Sequence, residues 1–205
     1  DRKGNLTRST SKLWNDFSTK KECDILTEKI GGTDEMIAEI SNSQRTGYTA
    51  SKIFHMQRNE IELFNNTYQF LLVHNYVNYF LTGGVSAMEQ GDASGTGLWD
   101  PVKRKWSENL TNVISDDLLS KLPSVSSSIE SIGYISKELV KEYGFDSTCK
   151  IDAGSGDNMY GAIGTGNVDP GILTISLGTS GTAYTIVDNP FVDPTGEIAC
   201  FCDST

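Results

Sequence analysis

The sequence is poor in the residues that build disulfides and metal sites. Its 205 residues include four cysteines (Cys23, Cys149, Cys200, Cys202) and two histidines (His55, His74). The one close cysteine pair has a single residue between its members, and neither histidine lies near it. That spacing predicts neither a disulfide scaffold, a redox motif nor a metal site, and a reducing cytoplasm is the expected setting. Long apolar runs are also lacking. Phe70-Leu71-Leu72-Val73 is among the longest, far below the roughly 18 residues of a membrane span, so a soluble chain with no membrane partner is expected. Positive charge is scarce, with 17 Lys and Arg against 27 Asp and Glu and a net charge of −10. Such a field repels a phosphate backbone, which argues against a nucleic-acid partner, and any anion must be caught locally. The start, Asp1-Arg2-Lys3-Gly4-Asn5, has no initiator Met and no apolar leader, so a processed chain or a piece of a longer one is expected. Internal repeats are absent too.

What is present is a helical first part and a glycine-rich last third. At roughly 100–200 residues per domain, the length allows one large domain, or one domain and part of another. Thr19 followed three residues later by Glu22 predicts a capping box, and Cys23, Leu26 and Ile30 predict the buried stripe of a helix stopped by Gly31-Gly32. Further helices are predicted over 34–40, 50–58 and from 60 to 65. Tyr68 to Val73 predicts a buried strand. Tyr76, Val77, Phe80 and Leu81 then form one helical stripe, which predicts a core face. Gly91 to Thr96 reads as a tight turn before a strand over 97–100, residues 116–122 and 135–143 as helical, and the serine-rich 123–131 as a loop.

From Lys150 the texture becomes glycine-rich and β-rich. Gly171 to Leu177 and Thr182 to Val187 are β runs joined by Gly178-Thr179-Ser180-Gly181, a predicted hairpin. Its turn is either a plain tight turn or a cradle in which backbone N–H groups and the hydroxyls of Thr179 and Ser180 face an anion. Gly154-Ser155-Gly156-Asp157-Asn158 follows a short β run over 149–151 and precedes a small-residue helix pattern. Asp157 there is either a helix N-cap or a general base, with Asn158 orienting a hydroxyl substrate. The G-x-G-x-x-G spacing of a dinucleotide site is absent. Asp92 is a rival carboxylate that reads better as a turn or cap residue. Neither histidine has a Ser or Cys partner in a nucleophile motif, and Cys200 and Cys202 read as buried strand residues.

Taken in order, Leu13-Trp14-Asn15-Asp16, Tyr48 to Lys52, His74 to Gly83, Met88 to Thr96, Gly154 to Asn158 and Ser176 to Thr182 resemble the FGGY family of carbohydrate kinases. The resemblance covers essentially the whole chain, and its specificity lies in the ordered set, since each motif is weak alone. It implies an α/β protein with the actin-like, ribonuclease H-like ATPase fold, in which two domains enclose a cleft. Residues 1–165 would be the latter part of the first domain and 166–205 the opening strands of the second. The family's first phosphate loop, Asp-x-Gly-Thr, and its adenosine motif have no counterpart here. The expectation is therefore a middle portion, inactive alone, of a kinase of roughly 500 residues, well above single-domain size.

The implied activity is transfer of the ATP γ-phosphoryl group to a sugar hydroxyl. The favoured acceptor is a ketopentose, D-xylulose at O5, with ribulose, gluconate or glycerol as alternatives and an inert interaction module as the non-enzyme reading. By the same resemblance Asp157 matches the catalytic base and a substrate contact, Asn158 a sugar contact, and Tyr48 stands near an aromatic substrate position. Gly178, Thr179, Ser180 and Gly181 match the second phosphate loop. ATP with Mg2+ is the implied cofactor, no protein metal ligand is assigned, and a homodimer is left open. Asp92 belongs to a family motif without being its base, and Ser155 stands where a third glycine is more usual.

Overall fold

Helix α1 (Lys20–Ile30) turns Cys23 and Leu26 inward and leaves Lys20, Lys21 and Lys29 in solvent. It ends where Gly31 takes a φ of +115°, which lets the N–H groups of Gly31 and Gly32 bond the carbonyls of Glu28 and Thr27. The computed structural model describes residues 1–178 and 181–204. The predicted capping box does not form. Thr19 Oγ1 instead bonds Ser51 Oγ at 2.9 Å and Glu22 takes Arg58 at 3.1 Å, both across to the third helix. Buried tertiary partners outcompete a local cap here. Helices α2 (Thr33–Ile40), α3 (Thr49–Asn59) and α4 (Ile61–Asn66) follow as predicted. Their apolar faces supply Met36, Ile40, Ile53, Phe54 and Phe64 to the main core, with Leu26 from α1.

Residues 67–72 form no strand and join no ladder among the described residues, contrary to expectation. The Phe70 N–H goes to the Lys121 carbonyl at 2.9 Å, and Asn75 Oδ1 accepts the Leu72 N–H at 3.3 Å, which opens helix α5 (Val73–Thr82) inside the apolar run. The aromatic stripe on α5 is a second correction. Tyr76, Val77 and Phe80 are 36, 48 and 61% exposed, because α5 turns its Asn75 face inward instead.

Strand β1 (Ala87–Glu89) runs straight into the one-turn helix α6 (Gln90–Ser94), where a tight turn was predicted. Strands β2 (Trp99–Asp100) and β3 (Lys105–Trp106) pair antiparallel. Helix α7 (Glu108–Ile114), which no sequence pattern announced, is capped by Ser107 Oγ on the Leu110 N–H at 2.9 Å and adds Leu110 and Ile114 to the core. The helical 116–122 stretch reduces to a 3-10 turn, Leu118–Lys121. The serine-rich stretch predicted as a loop holds strand β4 (Ser124–Ser126), which pairs parallel with β1, Met88 opposite Val125. Strands β5 (Ser131–Tyr134) and β6 (Lys150–Asp152) are antiparallel, with helix α8 (Lys137–Tyr143) between them. Helix α9 (Asp157–Gly164) leads to the predicted hairpin of β7 (Leu173–Leu177) and β8 (Gly181–Thr185).

After the hairpin the chain returns. Residues 193–204 form a strap over the first part of the chain, in which Asn42 exchanges two 2.8 Å bonds with the backbone of Cys200 and Ser43 Oγ donates to the Gly196 carbonyl. Gly196 has a φ of +70°, and a Cβ there would stand 2.9 Å from Ser43 Cβ. Cys200 and Cys202 thus lie in this strap and not in strands; Cys202 is buried, and all four cysteines are free. Among the described residues no helix is long and apolar enough to cross a membrane. Leu26 is fully buried among Met36, Ile53 and Leu110. Leu26→Ala is expected to cost about 2–5 kcal/mol of stability, read as a lowered midpoint in urea denaturation.

Candidate active site

The 153–158 segment is held from below before it presents anything to solvent. The Ala153 N–H bonds the Glu130 carbonyl at 3.0 Å, and the Gly154 N–H reaches the Ser128 carbonyl at 3.2 Å. Gly154 has a φ of +78°, a backbone state that suits glycine. Gly156 is the N-cap of α9, so Asp157 is the first helical residue and not its cap. A carboxylate there sits at the positive end of the helix dipole. Asp157 Oδ1 accepts the Asn158 N–H at 2.9 Å, and both side chains are exposed. The pair is thus presented to solvent by a backbone fixed on its inner side.

The inner side is the β1–α6 corner. Glu89 is 1% exposed, and its Oε2 accepts the Asp92 N–H at 3.1 Å and the Ser155 hydroxyl at 3.3 Å. Burial pushes the Glu89 carboxyl above its usual range, and the charge of Asp92 adds to that, while the Gly91 and Asp92 N–H groups and Ser155 pull it back. Asp92 is itself buried and pairs with His74 Nε2. The role expected for Asp92, a turn or a cap, is corrected: Glu89 caps α6, and the Asp92 carboxylate serves as an ion-pair partner instead. The bond to Asp92 raises the His74 imidazole above its ordinary value against the opposing effect of burial. Ser155 Oγ also meets Ser204 Oγ of the strap.

The other expected residues lie elsewhere. Tyr48 is the N-cap residue of α3, 8% exposed, with its ring 6.4 Å from that of Phe201. Its hydroxyl is buried and has no hydrogen-bond partner among the described residues, and burial raises its pKa. Gly178 and Gly181 are exposed at the hairpin tip; Thr179 and Ser180 lie outside the described residues. The hairpin is tied to α9 by Asn167, fully buried, whose Nδ2 donates to Thr174 Oγ1 and the Tyr184 carbonyl, both at 3.0 Å, and whose N–H bonds the Ala162 carbonyl. One helix of eight residues, about 12 Å long at 1.5 Å per residue, therefore carries Asp157 at one end and the hairpin attachment near the other. Glu89, His74, Ser155 and Asn167 escaped sequence reasoning as working residues. The signal available for Glu89 was its place within the Met88 to Thr96 motif.

Residues 5–164 match the N-terminal domain of the FGGY family of carbohydrate kinases. The chain belongs to that family, and its mixed α/β architecture is the family's actin-like, ribonuclease H-like fold. Among its relatives it is similar to the xylulose kinase of Haemophilus influenzae, 42% identical over 95% of this chain and 40% of that protein. The xylulose kinase of Lactococcus lactis is 34% identical over 82% of this chain and 33% of its own length. The crystal structure of xylulose kinase from Bifidobacterium adolescentis superimposes with a TM-score of 0.86 at 25% identity, covering all of this chain and 48% of that one. The chain thus spans under half the length of these relatives.

The His74–Asp92 pair makes a pH-dependent contribution to stability. The folded-state pKa of His74 is raised, so the stabilisation is complete below the unfolded value of about 6.5 and is lost as pH rises through the folded one. The advantage of the wild type over His74→Ala in thermal melts is expected to be largest between about pH 5 and 6.5 and to shrink above that range. A difference that is flat with pH would contradict the ion pair.

Proposed function

We propose that this chain contributes the acceptor side and part of the phosphate side of an ATP-dependent sugar kinase whose acceptor is a ketopentose, D-xylulose. The observation that carries the reading is Asp157, an exposed carboxylate opening α9 on a rigidly seated loop in a chain similar to xylulose kinases. Asp157 takes the proton of the sugar's terminal hydroxyl while that oxygen bonds the γ-phosphorus and the bond to the bridging oxygen breaks, releasing ADP. Asn158, beside it, orients the sugar through an amide that both donates and accepts. Tyr48 is the second sugar-side residue. Its unpartnered hydroxyl supports this, since a buried hydroxyl without a bond costs about 1–3 kcal/mol that a ligand hydroxyl would offset.

The phosphates face Gly178, Thr179, Ser180 and Gly181. The 173–185 hairpin carries no charged residue, and among the described residues a Cβ at Gly181 would meet Leu177 Cδ2 at an ordinary contact distance of 3.9 Å. Mg2+ in this reading is held by the nucleotide's own phosphates. When bound, Mg2+ neutralises charge on the transferred group. Residues 1–165 belong in this reading to the first domain and 166–205 to the second, and these 205 residues alone do not turn over. The setting in this reading is a reducing cytoplasm.

In the full-length kinase, Asp157→Asn is expected to lower kcat by about 10²–10⁴-fold while sugar binding survives, measured by coupled ADP release and by calorimetry. Near-normal kcat would remove Asp157 from the role. A panel of xylulose, ribulose, gluconate and glycerol in the same assay should give xylulose the highest kcat/KM; preference for another acceptor overturns the assigned substrate.

A further inference from the structure

Three separate contacts converge on the segment that carries Asp157, and all three come from the β1–α6 corner. Glu89 Oε2 accepts the Ser155 hydroxyl at 3.3 Å, two residues before Asp157. A Cβ placed on Gly156 would lie 3.5 Å from Asp92 Oδ1, so the N-cap of α9 rests on the carboxylate that His74 holds. A Cβ on Gly91 would stand 3.0 Å from Met159 Cε, two residues after Asp157, and 2.9 Å from Glu89 Oε2. The corner and the start of α9 are therefore in close contact.

Glu89 is the member of this corner that ties the contacts together. The same oxygen that receives Ser155 also receives the Asp92 N–H, so it sets the orientation of α6 and the height of the 154–156 loop at once. The carboxylate is buried and makes no approach to solvent, so it does not touch substrate. Its effect passes through Ser155.

Resting on the reading of Asp157 as the base, we infer that Glu89 is a positioning residue for phosphoryl transfer, acting through Ser155 to hold the Asp157 carboxylate at the reacting hydroxyl. Displacing a base by a fraction of an ångström lowers the rate of the chemical step without removing the groups that bind the sugar. The loss therefore falls on kcat more than on KM.

The test is steady-state kinetics of the full-length kinase at saturating ATP with xylulose varied, well below the melting temperature of each variant. Glu89→Ala is expected to lower kcat by about 10-fold or more and to move the sugar KM by less than about 3-fold. Glu89→Gln keeps an oxygen that accepts both bonds and should recover most of that loss. Ser155→Ala should lower kcat in the same sense, and the Glu89→Ala, Ser155→Ala double variant should be no worse than Glu89→Ala alone, since both remove one connection. Wild-type kcat in Glu89→Ala, equal losses in the Ala and Gln variants, or additive losses in the double variant would each overturn the role. If Glu89→Ala does not fold, Ser155→Ala decides, and an unchanged kcat there overturns it. Asp157→Asn in the same assay separates the two readings: turnover surviving in it refutes the base, whereas turnover lost there but intact in Glu89→Ala refutes only the positioning role.

Discussion

A carboxylate buried to 1% exposure is expensive unless its oxygens are bonded, and the organisation around Glu89 follows from that constraint. The N–H of Asp92 reaches Glu89 only if the chain turns into a helix directly after β1, which is why α6 exists as a single turn. Glycine at 91 is needed because a Cβ there would collide with Glu89 Oε2, the Cys202 carbonyl and Met159. Ser155 supplies a further donor and in doing so fixes the loop in front of α9. Polar satisfaction of one buried group thus sets the position of an exposed one.

Helix α9 carries that placement further. Its N-terminus presents Asp157 and Asn158, while Asn167 just beyond its C-terminus bonds both strands of the hairpin. The strap of residues 193–204 closes the circuit by meeting Ser155 and Ser94 from the far side. In the proposed reading, backbone amides and hydroxyls of the uncharged 173–185 hairpin hold the phosphates against a net charge of −10.

Elements announced by local sequence signals were legible in the residues. Cys23 and Leu26 with the Gly31-Gly32 stop announced α1, and two β runs around a glycine turn announced β7 and β8. Legibility failed where a residue's partner lies far along the chain. Thr19 and Glu22 spell a capping box, yet both are taken by α3. Tyr68 to Val73 spells a strand, but among the described residues no strand pairs with it, and Asn75 starts a helix within it. The serines of β4 look like a loop because they pair with β1, 37 residues away in register.

The site divides the same way. The ordered set of motifs, through its resemblance to the family, was enough to place the chain there and to single out Asp157, Asn158 and the glycine hairpin as candidates, because such motifs depend on residue identity within a few positions. The working roles of Glu89, His74, Ser155 and Asn167 emerged only from the folded chain. Each acts through a hydrogen bond or ion pair, and all four are bonded to a residue more than fifteen positions away. A linear pattern records local preferences; it does not record which buried polar groups must find each other once water is excluded, and that requirement is what sets Glu89 beneath Ser155 and His74 on Asp92.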